Sequence, residues 1–267
     1  MNETSEFVKS KRSSTNSAIL VITIDRPPRN AMSLETYRQL LILLEQSHAD
    51  DSVQCVILTG AGDKAFVSGG DLNEHAKLDA ASAQERTALI RQVFDRVRRH
   101  RAPVIAAVNG YALGGGLALM ASCDIVVAST TAKFSLPEVK VGIMGGTSHL
   151  RRLVPDKVVR WMALTGTMVG AEFFLKLGAV QEVVAPEQLM GAATRLAKQI
   201  CEHSGAAVTL MKETMNLTEH MGLDEGYHVE CLATSIMKSS PDGREAVQAI
   251  LEKRPPVFAR KAPTTEG

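Results

Sequence analysis

Residues 109–120 read NGYALGGGLALM, and three consecutive glycines, Gly114, Gly115 and Gly116, stand between an apolar run at 104–108 and a helix-prone segment at 117–121. Backbone without side chains at a strand-to-helix junction lets a ligand reach the peptide N–H groups at the positive end of the helix. Such groups stabilise negative charge developing on a carbonyl oxygen. The stretch holds no acidic residue, which limits how far it alone specifies a reaction.

Outward from this stretch, apolar runs alternate with helical patterns. AILVITI (18–24) and VQCVILT (53–59) are β-branched and end in Asp25-Arg26-Pro27-Pro28 and Gly60-Ala61-Gly62, which reads as strand then turn. Ser33 opens a helix carrying Leu40, Leu41 and Leu44, and 79–99 form another with Leu89, Val93, Phe94 and Val97 on one face. Strands at 104–108 and 125–128 flank the glycine-led helix. Alternation of this kind implies crossover connections and a mainly parallel layer, an α/β fold. From Lys157 onward the pattern turns helical, at 158–165, 171–177, 186–203, 206–221 and 226–237. The expected organisation is a flexible polar leader at 1–17, a core at 18–204 and a helical region at 205–267. No internal repeat and no long linker is visible.

Composition narrows the class. Thirty Lys and Arg against 29 Asp and Glu give a net charge of +1, so no global field draws nucleic acid or an anionic membrane. Residues 102–123 are uncharged, but Pro103, Asn109 and the glycines argue for a buried strand, turn and helix rather than membrane insertion. Cys55, Cys123, Cys201 and Cys231 form no CxxC pair; neither a zinc site nor a disulfide framework is expected, and a reduced, cytoplasmic setting is.

Two glycine turns follow buried strands, Ser68-Gly69-Gly70-Asp71 and Gly114-Gly115-Gly116. An oxyanion hole needs two convergent N–H donors, and one from each turn supplies them. Phe134-Ser135-Leu136-Pro137-Glu138 then sets a carboxylate in an apolar context, where desolvation raises its pKa toward the range useful for proton transfer.

With these residues the chain resembles the enoyl-CoA hydratase/isomerase, or crotonase, family over nearly its whole length. The resemblance rests on Arg26-Pro27 with Asn30-Ala31-Met32, on 56–60, on Ala65-Phe66 with 68–72, and on 103–116. It continues through Cys123-Asp124-Ile125, Pro137-Glu138, Gly145-Gly146-Thr147, 164–166 and 252–254. It implies a spiral of ββα/βαβ units with a helical C-terminal trimerisation region, assembled as a homotrimer or dimer of trimers. It implies an acyl-CoA thioester held between the N–H groups of Gly70 and Gly115, with Glu138 moving a proton. No metal or redox cofactor is implied, since coenzyme A enters with the substrate.

Carried over residue by residue, the substrate contacts fall at Ala65, Phe66, Ser68, Gly69, Asp71 and Leu72 around the first turn. Tyr111, Leu113 and Gly114 follow at the second, and Pro137 and Val141 beside Glu138. Arg29, Ala31 and Lys253 are expected toward coenzyme A, with Lys64 a weaker candidate. The Asp71 side chain suits the cap of the following helix better than a ligand contact. Met120, Met144, Trp161 and Met162 are weighed as acyl-pocket residues against core packing, His149 and Ser148 as pocket neighbours, and Cys123 as core.

Two departures stand out. Hydratases of the family carry two glutamates; here their positions hold Ala118 and Glu138. One carboxylate suffices to shuttle a proton in double-bond isomerisation, as the family's isomerases do, and favours that reaction slightly over hydration. The loop GIMGGT (142–147) is shorter than in many relatives and lacks their proline. The alternatives are a non-catalytic acyl-CoA binder and a decarboxylase or thioester hydrolase on the same scaffold.

Overall fold

Largely apolar strands form the centre of the larger of two sheets in the computed structural model, which describes residues 6–258. β1 (Val8–Ser13) pairs antiparallel with β2 (Asn16–Ile24). β2 then runs parallel to β3 (Cys55–Gly60), and the order β1-β2-β3-β5-β7-β10 is completed by β5 (Val104–Val108), β7 (Ile125–Ser129) and β10 (Glu182–Val184).

After β3, β5 and β7 the chain crosses at once into a second sheet, through β4 (Ala65–Val67), β6 (Tyr111–Leu113) and β8 (Lys133–Ser135). That sheet has the order β4-β6-β8-β9, with β9 (Met168–Gly170) antiparallel at its edge. Gly110 sits at one crossing, where an added Cβ would lie 2.2 Å from the carbonyl oxygen of Lys64. Helices α2 (Leu72–His75) and α3 (Ala80–Arg98) follow β4, and α4 (Gly115–Ser122) follows β6; α1 (Leu34–Ala49) connects β2 to β3. A strand, a strand and a helix therefore recur along a spiral. The recurrence has no trace in sequence because the units share a backbone path and not residues: α3 has 19 residues where α4 has 8.

Both faces of the larger sheet are covered, so its central strands lack polar alternation. Val56, Leu58, Ala106 and Val108 face one core with Leu40, Leu44, Val93 and Phe94. Cys55, Ile57, Ile105, Ala107 and Val127 face the other, closed by Leu189, Ala193 and Ala197 of α8 (Leu189–Cys201). α5 (Thr147–Leu150), α6 (Asp156–Thr165) and α7 (Ala171–Lys176) bridge to α8, and α9 (Gly205–Thr218), α10 (Leu223–Ser239) and α11 (Pro241–Leu251) end the described chain. α11 goes beyond the expected helices and begins at a Ser240 cap followed by Pro241.

The flexible leader is corrected. Within 1–17, β1 is an ordered edge strand: Val8 is buried, and the Gln39 side chain accepts from the N–H groups of Phe7 and Val8. Its exposed lysines gave the segment a polar look, as suits a sheet edge. Residues 1–5 of that leader and 259–267 of the helical region lie outside the described residues. No described helix is long and apolar enough to cross a membrane.

Candidate active site

The smaller sheet gathers the three sequence segments. β4 and β6 are parallel, with Val67 opposite Ala112; β6 and β8 are parallel, with Leu113 opposite Ser135. Parallel strands in register end on one edge, so 68–71, 114–116 and 136–138 leave the sheet side by side. The Gly114 N–H donates to the Ser135 carbonyl at 2.9 Å. A Cβ on Gly116 would lie 2.1 Å from the Val67 carbonyl oxygen, so the start of α4 packs directly on the end of β4.

Backbone pairing sets the two N–H groups. Met32 bridges Gly70 in a parallel sense, with the Met32 N–H donating to Gly69 at 2.8 Å and the Asp71 N–H donating to Met32 at 3.1 Å. A parallel bridge uses the neighbours' groups and turns the N–H of Gly70 itself the other way. Gly115 is the first residue of α4, where an N–H has no intrahelical acceptor.

Glu138 opens a short 3-10 turn at Glu138–Val141. Its Oε1 lies 2.5 Å from the place a Gly114 Cβ would take, and its buried Oε2 has no hydrogen-bond partner among the described residues. Burial, only partly offset by a backbone hydrogen bond, raises its pKa above the usual carboxylate value. Ala118 is buried, and the short loop runs over it: Gly146, at φ 72°, would bring a Cβ within 3.8 Å of the Ala118 methyl and 2.7 Å of Leu136.

Two residues that sequence reading passed over stand at the same place. The Tyr37 ring is buried, and its hydroxyl lies 3.0 Å from the position of a Gly115 Cβ. A buried Arg86 puts Nη2 2.8 Å from the position of a Gly70 Cβ. Arg86 donates to Glu74 at 2.6 Å and to the Met32 carbonyl at 3.2 Å. The available signal was a polar residue at core spacing: Tyr37 shares a face with Leu40 and Leu44, and Arg86 with Val93 and Val97.

The remaining expected residues divide. Ser68, Gly69, Leu113, Gly114 and Pro137 border the gathered turns. Leu72 and Val141 are exposed, with Tyr111 half-buried. The Phe66 side chain is fully buried in the main core, so only its backbone is left to meet a ligand. Ala65 is likewise buried, and its carbonyl accepts from Asn30 at 2.7 Å.

Asp71 is corrected toward its capping alternative. It accepts from the Asn73 and Glu74 N–H groups and pairs with Arg26 at 2.6 Å. Burial opposes its ionisation, yet Arg26 and these N–H groups hold its pKa below the usual value. Arg26 also donates to the Ala31 carbonyl at 2.9 Å, leaving neighbouring Arg29 exposed. Lys253 is exposed just past α11, in the helical region and not on the strand ends.

Met120 and Met162 are core residues, Trp161 packs edge-on against Phe173, and Met144 is 95% exposed on the short loop. Cys123 is buried with its thiol pKa pushed up by desolvation, consistent with a core role. His149 stacks edge-on against Phe94 at 5.1 Å; burial, reinforced by Arg152 and Arg98, lowers its pKa. It lines a cleft of about 700 Å³ with Ser148, Arg98 and Arg152, and none of the three gathered segments lines that cleft.

Fold and site together define a spiral of two sheets in which glycine turns gather beside a carboxylate with one buried, unpartnered oxygen. Comparison with known proteins matches residues 14–261 to the enoyl-CoA hydratase/isomerase family, and the chain belongs to that family. It is similar to the short-chain-enoyl-CoA hydratase of Clostridium acetobutylicum, 37% identical over 88% of this chain and 92% of that one. It is also similar to the carnitinyl-CoA dehydratase of Salmonella enteritidis, 36% identical over 91% and 95% of the two chains. Among solved structures, an enoyl-CoA hydratase from Bacillus anthracis superposes with a TM-score of 0.91 at 31% identity, covering 96% of this chain and 100% of that one. The crotonase fold and an enzyme of the hydratase/isomerase class acting on acyl-CoA are thereby established.

Proposed function

We propose that this enzyme moves a proton on an enoyl-CoA thioester through a stabilised enolate, with Glu138 as its one acid–base carboxylate. The observation that carries the reading is the buried, unpartnered Oε2 of Glu138 beside the Gly70 and Gly115 turns, with only a methyl at Ala118. The two N–H groups donate to the thioester carbonyl oxygen. Glu138 takes a proton from C2 of a 3-enoyl thioester; the electron pair spreads onto the oxygen as a dienolate. Return of that proton to C4 leaves the 2-enoyl product. Electrostatic stabilisation by preorganised donors supplies the larger share of the barrier reduction, and the tuned carboxylate a further ~10²–10⁴-fold.

Water addition needs a group to hold and activate the water as well as one to protonate carbon. With Ala118 in place of a second carboxylate, isomerisation ranks slightly above hydration. The names of the relatives favour hydration as the second reading. Coenzyme A enters with the substrate and no further cofactor is required; Arg29 and Lys253 are the basic residues assigned to it. The exposed apolar side chains Leu223, Tyr227, Leu232 and Ile236 of α10 support assembly into a homotrimer or dimer of trimers through the C-terminal helices.

The test incubates the protein in parallel with a trans-2-enoyl-CoA and a 3-enoyl-CoA and follows products by mass. Conversion of the 3-enoyl thioester without mass change, and little water gain on the other, is the expected result. Rapid gain of one water with no isomerisation overturns the preference and sends the search to a group replacing the first glutamate.

A further inference from the structure

The space that a side chain on Gly115 would need is taken by the end of Tyr37. Tyr37 is 1% exposed and its ring is clamped, edge-on to Phe94 at 6.5 Å and with the Arg86 guanidinium carbon 5.7 Å from its centroid. α1 fixes its root through the Ser33 cap, whose hydroxyl accepts from the Thr36 N–H at 3.2 Å. The clamp points the phenol at the start of α4, 3.0 Å from the Gly115 Cβ position.

A buried tyrosine hydroxyl ordinarily finds a partner. The Tyr37 hydroxyl makes no hydrogen bond with any described residue. It ends at the same glycine turn as Glu138, whose buried Oε2 is likewise without a partner among the described residues: the phenol lies against Gly115 and the carboxylate against Gly114. Arg86, braced by Glu74 and the Met32 carbonyl, occupies the corresponding position beside Gly70 and keeps a cation on the face of the Tyr37 ring.

We propose that Tyr37 is a further catalytic residue, its phenol O–H donating to the thioester oxygen alongside the N–H of Gly115. The hole then has two backbone donors and one side-chain donor. Burial, with Arg86 opposing and Glu138 adding, pushes the Tyr37 pKa up to about 12, so the phenol is a proton-bearing donor at neutral pH and no base. The inference rests on the enolate reading above and deepens it: a third donor lowers the energy of the enolate oxygen at a site with a single carboxylate.

Tyr37→Phe removes the donor and keeps the ring. Two readouts separate the claims. The first is the red shift of a bound push–pull thioester, 4-dimethylaminocinnamoyl-CoA, whose absorption moves as its carbonyl oxygen gains electron density; it needs no turnover. The second is exchange of the C2 protons of butyryl-CoA into D₂O. In Tyr37→Phe a markedly smaller red shift is expected, with exchange slowed roughly 10²–10³-fold as for a lost oxyanion donor. Melting temperature and the Kd for butyryl-CoA stay near native values.

A red shift and exchange rate within twofold of native overturn the proposal, as does a native protein that gives no red shift. A red shift that depends on Tyr37 in a protein that exchanges no proton sinks the Glu138 reading and leaves Tyr37 standing. If Tyr37→Phe does not fold, 3-fluorotyrosine at position 37, a stronger donor, is expected to enlarge the red shift, and an unchanged shift overturns the proposal.

Discussion

Asp124 with Lys212 and Glu138 with its turn are two ways of placing charge inside one fold. Lys212, 3% exposed on α9, donates to Asp124 at 2.7 Å and to the carbonyls of Ala102 at 3.2 Å and Val97 at 3.4 Å. Asp124 accepts in addition from the Val104 N–H at 2.7 Å. This pair ties the C-terminal helices to the core sheet. Glu138 has a raised pKa and an oxygen with no partner among the described residues. Where donors and acceptors close on each other the group holds the fold; the open oxygen of Glu138, beside the start of α4, is what the proposed proton transfer rests on. Polar satisfaction, more than burial, separates Lys212 and Asp124 from the carboxylate proposed to move a proton.

The contrast breaks most directly at Glu138. Glu138→Gln is expected to cut turnover of the preferred enoyl thioester by ~10²–10⁴-fold while the melting temperature holds or rises by a few degrees, read by kinetics and calorimetry together. Lys212→Met should do the opposite. Asp124 is partly exposed and keeps the Val104 N–H, so losing Lys212 should cost about 1–3 kcal/mol, visible in denaturant unfolding, with kcat per folded molecule near native.

Ala118→Glu sharpens the comparison from the other side. It restores a second carboxylate under the Gly146 loop, and water addition to a 2-enoyl-CoA should rise roughly tenfold or more by general acid–base catalysis. Unchanged hydration in a folded variant would contradict the one-carboxylate explanation.

The smallest effect is on stability against pH. A folded-state pKa above the unfolded value means Glu138 stabilises the fold below the ordinary carboxylate pKa and loses that contribution as pH rises through the raised value. The melting-temperature advantage of Glu138→Gln over the native chain should therefore grow from acid toward neutral pH. A gap that shrinks over that window would reverse the assigned direction.

Much of this was legible in sequence for a physical reason. β3, β5 and β7 are buried on both faces, so their apolar runs announce them, and Gly114 to Gly116 mark a junction where the Gly116 Cβ has no room. β4, β6, β8 and β9 have three residues each, too few to display a period, so the smaller sheet that aligns the site was invisible as a sheet. β1 was lost because edge strands carry charge. Phe66 was carried over to substrate through the family resemblance, which does not show that its side chain enters the core. Tyr37 and Arg86 were passed over because both lie within helices read only for their apolar faces. A hydroxyl or guanidinium at core spacing is itself a sign that the core opens onto something polar.

The central claim is that Glu138 carries the proton of an enolate held by the glycine turns. The most direct measurement is the rate of C2 proton exchange from a saturated acyl-CoA into D₂O against pH, in the native chain and in Glu138→Gln. Native exchange whose rate climbs with pH through a pKa above the usual carboxylate range, and its absence in Glu138→Gln, is the predicted result. Exchange in Glu138→Gln at the native rate would contradict the account.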